Sequence, residues 1–327
     1  MTAKHVLRNA IASALVAGAL ASTSATADTL LFPVLSAATN ILTVMSVINR
    51  TNAGGTSHLN YIYRTKNATT PSGGNNYDGP CGTGLGGVHN TQNGDLVSFD
   101  SSSQLLGGNA LFGDSGIYGG TFGIGSATPT RGYLLVTHAN SAGARQSVGS
   151  NRDQAGEFVN LDIAGGAAWG GRAINDSTRE DYTFTNASAG GGVFPALPSQ
   201  GFSYRSFAFF PPVAFTTRFY VTPIGSSMDT GNLTATVQLR STSNFYDRNG
   251  ILRVFAAIPV QVRCTGMIPL QDLVESATWA ALENTGGWSE FDVTAANAIV
   301  YKLEYATSAT YGGTVNNGYL LSENGLP

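Results

Sequence analysis

Charged residues are few in this sequence. Of its 327 residues, 17 are basic and 20 are acidic. That charged share of 11% is less than half of the roughly 25% found in an average soluble protein. Lysine occurs only at Lys4, Lys66 and Lys302. Because affinity for a phosphate backbone comes from clustered lysine and arginine, this composition argues against a nucleic-acid-binding protein.

Long apolar runs and internal repeats are also missing. The apolar stretch of residues 10–21 is shorter than the roughly 20 residues that a membrane-spanning helix needs, and Pro33 and several polar residues interrupt the run 30–48. The absence of a fixed repeat argues against a solenoid or a propeller. The hydrophobic share of 42% is too high for a disordered chain. We therefore expect one folded domain over residues 28–327, with no transmembrane span.

Residues 1–27 have the features of a cleavable secretory signal peptide. Lys4 and Arg8 form a positive start, an apolar stretch follows, and Ala25-Thr26-Ala27 provides small residues at the cleavage site before Asp28. Cleavage removes two of the 17 basic residues and none of the 20 acidic ones, which leaves a net charge of −5. The protein is therefore predicted to be secreted or to lie at the cell surface.

Cysteine is limited to Cys81 and Cys264, and neither lies in a C-x-x-C motif. In an exported protein an even cysteine count predicts a disulfide bond. Closing a loop of this length stabilises a fold by roughly 4–5 kcal/mol in the chain-entropy model.

Most of the chain has the period-two alternation and the β-branched and aromatic content of β-strands. The predicted strands include residues 59–65, 133–137, 157–163, 215–222, 232–240, 258–264 and 299–305, and the run 30–48 is predicted to form two strands joined at Ala38-Thr39-Asn40. Hairpin turns are predicted at Asn93-Gly94, Asn249-Gly250 and Asn317-Gly318. One helix is expected over 270–284, where Leu270, Leu273, Val274, Ala277 and Ala281 follow a helical period.

Glycine, at 41 residues, gathers with asparagine in the stretches 69–94 and 106–125, which predicts long loops. Together these patterns predict an all-β fold. We expect an antiparallel β-sandwich or jelly roll with long Gly/Asn-rich loops and one short helix.

Motifs that carry chemistry are few. Gly113-Asp114-Ser115-Gly116 is similar to the nucleophile motif of chymotrypsin-like serine proteases, but Ile117-Tyr118 follows it and no upstream histidine has the expected surroundings. A turn is the favoured interpretation. The glycine-rich run 190–192 is followed by Val193 and Phe194 and does not form a phosphate-binding loop. These observations favour a protein that is not an enzyme, with a secreted hydrolase as an alternative.

No metal or other cofactor is predicted. His58, His89 and His138 stand alone, outside the spacings of zinc sites. Glu157 and Asp162 are an odd number of residues apart on a predicted strand and therefore face opposite ways. Calcium is a weaker alternative that oxygen-rich loops would supply. Its candidate donors are Asp100 with Ser101, Ser102 and Ser103, then Asp176, Glu180 and Asp181.

Two segments are candidates for interaction. One is an aromatic series that could form a surface for a glycan or a partner subunit, or a core strand pair broken by Pro211-Pro212. Its members are Phe202, Tyr204, Phe207, Phe209, Phe210, Phe215, Phe219 and Tyr220. The other is the apolar start of the mature chain, which could be an internal strand or a strand donated to the sheet of a neighbouring subunit. Its members are Leu30, Leu31, Phe32, Val34 and Leu35.

The sequence therefore favours an exported structural protein of the extracellular space or cell surface. Assembly with copies of itself through strand edges, as an oligomer or a filament, is the leading hypothesis. A carbohydrate-binding or adhesive module that recognises a surface glycan is the first alternative, and a secreted hydrolase is the second.

Overall fold

The computed structural model describes residues 29–51, 57–68, 77–92, 94–102, 117–118, 129–144, 152–162, 167–174, 182–184, 204–294, 297–306 and 316–320. The first part of the chain contains strands β1 (Thr29–Ala38), β2 (Ile41–Thr51), β3 (Ser57–Asn67), β4 (Gly82–Thr91), β5 (Leu96–Asp100), β6 (Ile117–Tyr118), β7 (Thr130–Ala139), β8 (Arg152–Asp162) and β9 (Ala167–Arg172). The second part contains β10 (Tyr204–Phe209), β11 (Phe215–Ile224), β12 (Thr234–Leu239), β13 (Phe245–Asp247), β14 (Val260–Arg263), β15 (Gly266–Pro269), β16 (Gly287–Val293), β17 (Asn297–Ala306) and β18 (Asn316–Leu320). Helical structure is limited, within these residues, to two 3-10 helices, Met228–Thr230 and Leu270–Leu273, and one α-helix, α1 (Ser276–Leu282).

These strands form three sheets. The first sheet has the order β4-β3-β7-β1-β2-β5-β6, and β8 pairs with β2 and β9. The middle sheet has the order β15-β11-β17-β18, and the outer sheet has the order β10-β16-β12-β14, with β13 beside β16. Apart from the parallel pair β5–β6, all the pairings are antiparallel. The prediction of an antiparallel all-β sandwich fold is confirmed.

The middle sheet has a hydrophobic core on each of its faces. Phe219, Val221 and Val300 pack with side chains of the outer sheet. The alternate residues Tyr220 and Tyr301 pack with side chains of the first sheet. Since successive residues of a strand point to opposite faces, β11 and β17 supply side chains to both cores, and the three sheets stack as layers.

Hydroxyl groups of the middle sheet form hydrogen bonds with backbone groups of the first sheet, where the pairing of two strands is interrupted. The pairing of β1 with β7 shifts register between Phe32 and Leu35, which leaves backbone groups without their ladder partners. The Thr222 hydroxyl donates to the Pro33 carbonyl at 2.7 Å. The Tyr220 hydroxyl lies 2.7 Å from the Gly132 carbonyl oxygen and accepts the Gly132 N–H at 3.2 Å. These bonds satisfy buried groups that would otherwise be costly to bury.

The disulfide prediction is confirmed. Cys81 and Cys264 are bonded, with their Cα atoms 5.7 Å apart and a sequence separation of 183. Cys81 lies immediately before β4 of the first sheet, and Cys264 lies immediately after β14 of the outer sheet. Cys264 also lies two residues before β15 of the middle sheet. The bond therefore ties the first sheet to the connection between the outer and middle sheets.

The prediction of one continuous helix over 270–284 is wrong, because the structure has two short helices there. A 3-10 helix ends at Leu273, Val274 and Glu275 have extended backbone angles, and α1 begins at Ser276. Leu270, Leu273 and Val274 fill the core between the middle and outer sheets, and a single turn followed by an extended residue places them there. Within the described residues, no helix is both long and apolar enough to cross a membrane.

Turn predictions gave mixed results. Asn249-Gly250 forms a turn in which Gly250 has φ +77°, as the dipeptide predicts. Asn317-Gly318 lies inside β18, so that turn prediction is wrong. The two strands expected over 30–48 are present as β1 and β2, joined by a turn at Thr39 and Asn40.

Candidate functional site

The predicted assembly strand is part of the core of its own chain. All five of its apolar side chains are fully buried, and they belong to one core cluster. Leu30 and Leu31 pair with Val136 and Leu135 of β7, and Leu31 also forms a bridge with Ile174. Within one chain, therefore, β1 is an internal strand and does not lie free for a neighbouring subunit.

The aromatic series does not form an exposed row. Phe207, Phe209 and Phe219 lie in the core between the middle and outer sheets, and Tyr220 lies in the other core. The reason is that β10 and β11 belong to different sheets, so the chain crosses between two layers at Pro211-Pro212 and both strands supply core residues.

The remaining members of the series are divided. Phe210 is exposed, and its ring centroid lies 4.8 Å from that of half-buried Phe215. Tyr204 belongs to β10, and Phe202 lies outside the described residues.

The three histidines do not come together. His138 and His89 both pair with Leu59, which lies between them in β3. Two strand spacings separate them by about 10 Å. His58 is the neighbour of Leu59 in β3 and faces the opposite way. Among the described residues no group of three histidine, cysteine, aspartate or glutamate side chains could hold a metal ion.

The other candidate residues either have a structural role or lie outside the described residues. Asp100 is buried, and its Oδ1 accepts hydrogen bonds at 2.9 Å from the backbone N–H and the hydroxyl of Ser102. Glu157 and Asp162 occupy positions of opposite parity in β8. The predicted calcium donors Ser103, Asp176, Glu180 and Asp181 lie outside the described residues, as do the motif 113–116 and the signal peptide 1–27.

The feature that stands out on the surface is an extended apolar segment at the border of the outer sheet, residues 251–259, here called the edge segment. The N–H of Arg253 donates to the Phe245 carbonyl at 2.8 Å, and the Asp247 N–H donates to the Ile251 carbonyl at 3.0 Å. These bonds fix the start of the segment antiparallel to β13. A bridge between Tyr246 and Leu252 therefore places the start of the edge segment beside β13, at the border of the outer sheet.

Among the described residues, the backbone groups on the other side of the edge segment have no hydrogen-bond partner. Because N–H and C=O groups alternate in direction along an extended chain, those of Leu252 and Val254 point away from β13. Within the described part of the chain, neither residue makes a backbone hydrogen bond on that side. Such an edge is a template for pairing with another strand.

The side chains of the edge segment are apolar and exposed. Ile251, Leu252 and Val254 are 50%, 40% and 60% exposed, respectively. Leu252 is the bridge partner of Tyr246. Contiguous exposed apolar surface marks an interaction site more often than a single exposed residue does.

An aromatic stack extends this surface across the outer sheet. Tyr246 pairs with Trp288 in register, and their rings are stacked with centroids 4.8 Å apart. Trp288 in turn pairs with Ala208 of β10, which is exposed. Leu252, Tyr246, Trp288 and Ala208 thus form an apolar row on the outer face.

Charged groups hold the start of the edge segment in place. The buried Asp247 carboxylate accepts the Ile251 N–H at 3.0 Å and binds the Arg253 guanidinium at 2.7 Å. Together the Ile251 N–H and Arg253 keep the pKa of Asp247 below its usual value. Beside the apolar row, Glu290 accepts bonds from Arg240 at 3.1 Å and Asn244 at 2.7 Å.

Comparison with protein-family models, with curated proteins and with solved structures finds no match to this chain. The candidate site therefore has to be judged on its own geometry. Sequence reasoning missed the edge segment because Ile251, Leu252 and Val254 have the composition of an ordinary core strand. The available signals were Asn249-Gly250 before the segment and Pro259 at its end, which are typical of an edge.

Proposed function

We propose that this chain is an exported structural protein of the extracellular space or cell surface, and that it assembles by pairing with a second copy through the edge segment. The observation that carries the proposal is a combination of two features of Leu252 and Val254. Their outward backbone groups have no partner within the described part of the chain, and their aliphatic side chains are exposed. Either feature alone is common on protein surfaces. Together they match what an added strand would cover.

The geometry of the edge favours a two-fold contact. When identical edges pair antiparallel, the same surface contributes from both copies, and the contact closes as a dimer. Pro259 has no N–H to donate, so it limits strand pairing to the residues before it. A longer assembly would need a second contact elsewhere on the molecule.

Composition and covalent structure support export and assembly. The disulfide between Cys81 and Cys264 suits an oxidising compartment, as the signal-peptide pattern of residues 1–27 predicts. The low charge of the mature chain keeps the repulsion between copies weak. A protein of this kind would act through its surface and would need no cofactor.

Sedimentation velocity of the disulfide-bonded mature chain, residues 28–327, tests the proposal. We expect a concentration-dependent dimer that Val254→Lys abolishes, because a lysine at the pairing edge brings a charge into the contact. Leu96→Lys is the matched control, since Leu96 is an exposed aliphatic residue of the first sheet. The control variant should dimerise like the wild type.

Two results would overturn the proposal. One is a wild-type protein that remains monomeric at the highest attainable concentration. The other is a dimer that Leu96→Lys weakens as much as Val254→Lys does.

A further inference from the structure

A cavity of about 400 Å³ lies between the first and middle sheets. This volume is in the range of small-molecule sites. The hairpin of β1 and β2, the ends of β7 and β8, and one face of β11 and β17 surround it. It is separate from the edge segment, and the proposed assembly does not use it.

The wall from the first sheet contains a buried amide with an unused donor. Asn160 is only 4% exposed, and its Oδ1 accepts a hydrogen bond from the Thr43 hydroxyl at 2.6 Å. The Nδ2 of Asn160 has no hydrogen-bond partner within the described residues. Buried donors are normally satisfied, so this one points to an acceptor that a ligand would bring.

An aromatic side chain lies next to that amide. Trp169 of β9 pairs in register with Asn160, and its half-buried ring also lines the cavity. On the middle sheet, Tyr305 lines the cavity from the facing side. Aromatic rings at the border of a cavity provide flat apolar surfaces for the C–H faces of a sugar ring.

Two guanidinium groups supply positive charge. Arg218 lies on the face of β11 that also carries Tyr220, and Arg131 of β7 lines the cavity from the first sheet. Arg131 donates to the Ala68 carbonyl at 2.6 Å. Burial, and also the charge of Arg218, lowers the pKa of Arg131. Among the described residues, neither guanidinium forms an ion pair with a carboxylate.

The remaining charge in the cavity wall is Asp162 of β8. Asp162 has the same parity in β8 as Asn160 and therefore lies on the same face of the strand. Two guanidiniums and one carboxylate leave the lining net positive. Such a lining favours an anion, while the carboxylate offers an acceptor for ligand hydroxyl groups.

We propose that this cavity binds a sugar residue that carries a carboxylate, of the hexuronate class. Arg131 and Arg218 bind the carboxylate, Asn160 Nδ2 donates to a sugar oxygen, Asp162 accepts from a hydroxyl group, and the ring packs against Trp169 or Tyr305. An acidic polysaccharide outside the cell would present such residues. The site would then anchor the protein to that polymer, whether or not the edge segment assembles.

Isothermal titration calorimetry with digalacturonate tests this inference on the disulfide-bonded mature chain. The dimethyl ester of the same disaccharide, in which both carboxylates are esterified, is the neutral matched ligand. We expect digalacturonate to bind and Arg218→Gln to weaken binding about tenfold or more, because a hydrogen bond to a charged group is lost. Trp169→Leu should also weaken binding. Arg248→Gln, at an exposed arginine of the turn after β13, should not.

Each of the other outcomes contradicts the inference. Equal binding of the dimethyl ester would remove the role of the carboxylate. Acetate that binds as tightly as digalacturonate would show a simple anion site and no sugar site. Absence of binding to the wild type, with the near-ultraviolet circular dichroism of a folded protein, would exclude a hexuronate site. All these outcomes are independent of dimer formation, which sedimentation of the same samples would report separately.

Discussion

The middle sheet and the border of the outer sheet differ in which residue types they bury. The middle sheet buries charged residues, whereas the border of the outer sheet exposes aliphatic ones. In β17, Lys302 and Glu304 are only 3% and 4% exposed. In the edge segment, the aliphatic residues Ile251 and Val254 are 50% and 60% exposed. Two charged residues are thus inside the molecule while aliphatic residues of similar size are outside.

Position in the stack of sheets explains this difference. The middle sheet is covered on both faces, so residues 298–304 of β17 are all buried, and Lys302 and Glu304 form an ion pair of 2.7 Å. Glu304 also accepts bonds from the Phe210 N–H and the Thr217 hydroxyl, each at 2.9 Å. Within the described part of the chain the edge segment has a backbone partner on one side, and we propose that a second copy buries its exposed apolar side chains.

The largest expected effect compares one core residue with one edge residue. Phe219 is fully buried, and its ring lies 4.9 Å from Phe207 and 4.5 Å from Phe291 between ring centroids. Phe219→Ala should lower the free energy of unfolding by about 3–5 kcal/mol. Val254→Ala should change it by less than about 0.5 kcal/mol in the monomer. Urea denaturation at low protein concentration measures both, and similar losses for the two variants would contradict the comparison.

The buried ion pair should be costly to break. Lys302→Met leaves the Glu304 carboxylate buried without its cation, and we expect a loss of about 3–5 kcal/mol. The matched variant is Arg240→Met, because Arg240 pairs with Glu290 at 3.1 Å where it is partly exposed. Its loss should stay below about 1 kcal/mol. Equal losses in chemical denaturation would show that the middle sheet does not isolate its charges from water.

The disulfide should stabilise the attachment of the first sheet to the connection between β14 and β15. The double variant Cys81→Ala/Cys264→Ala removes the bond, and we expect a loss of about 2–5 kcal/mol in the free energy of unfolding. Amide hydrogen exchange would then rise in β14 and β4, whose ends the bond joins. If exchange rises uniformly over the molecule, the bond acts only on the unfolded chain.

A smaller effect concerns pH and the buried phenols. Burial raises the pKa of Tyr63, Tyr133 and Tyr220, so these groups stay protonated in the folded protein while they ionise in the unfolded chain above about pH 10. The contribution of these three phenols to stability should therefore be constant below that pH. Above it, stability should fall by up to about 1.4 kcal/mol per pH unit for each phenol.

Tyr63→Phe provides the control for this prediction. The Tyr63 hydroxyl is buried with no hydrogen-bond partner among the described residues, so the variant should be at least as stable as the wild type at neutral pH. It should also lose stability less steeply in alkaline solution. Denaturant titrations at a series of pH values check both points, and an unchanged alkaline slope would contradict them.

Local pattern predicted many of the strands but not their layers, and β4 lies within the stretch 69–94, where a long loop was expected. The alternation in residues 232–240 places Ala235, Val237 and Leu239 in the core, as observed. In residues 299–305 the same pattern contrasts Ile299 and Tyr301 with Lys302 and Glu304, although all of these residues are buried. Alternation reveals that a strand has two faces, but whether a face is covered depends on contacts distant in sequence.

For the candidate site, too, the local sequence predicts some features, whereas others depend on contacts distant in sequence. Cysteine count was enough to predict the disulfide, because two cysteines allow only one intramolecular pairing. Leu30 and Val254 are both aliphatic and both lie in extended segments, yet only the first has a neighbour that buries it. The residue types alone do not separate these two situations, and the local signals of an edge are limited to the flanking Asn249-Gly250 and Pro259.

Backbone hydrogen exchange at the edge segment tests the central claim most directly. Amide exchange of the mature protein would be compared at a concentration where sedimentation finds monomer and at one where it finds dimer. We predict that the N–H groups of Leu252 and Val254 exchange freely in the monomer and become protected in the dimer, while the exposed border strand β4 is unchanged. A dimer that leaves these two amides unprotected, or protects β4 instead, would contradict assembly through the edge segment.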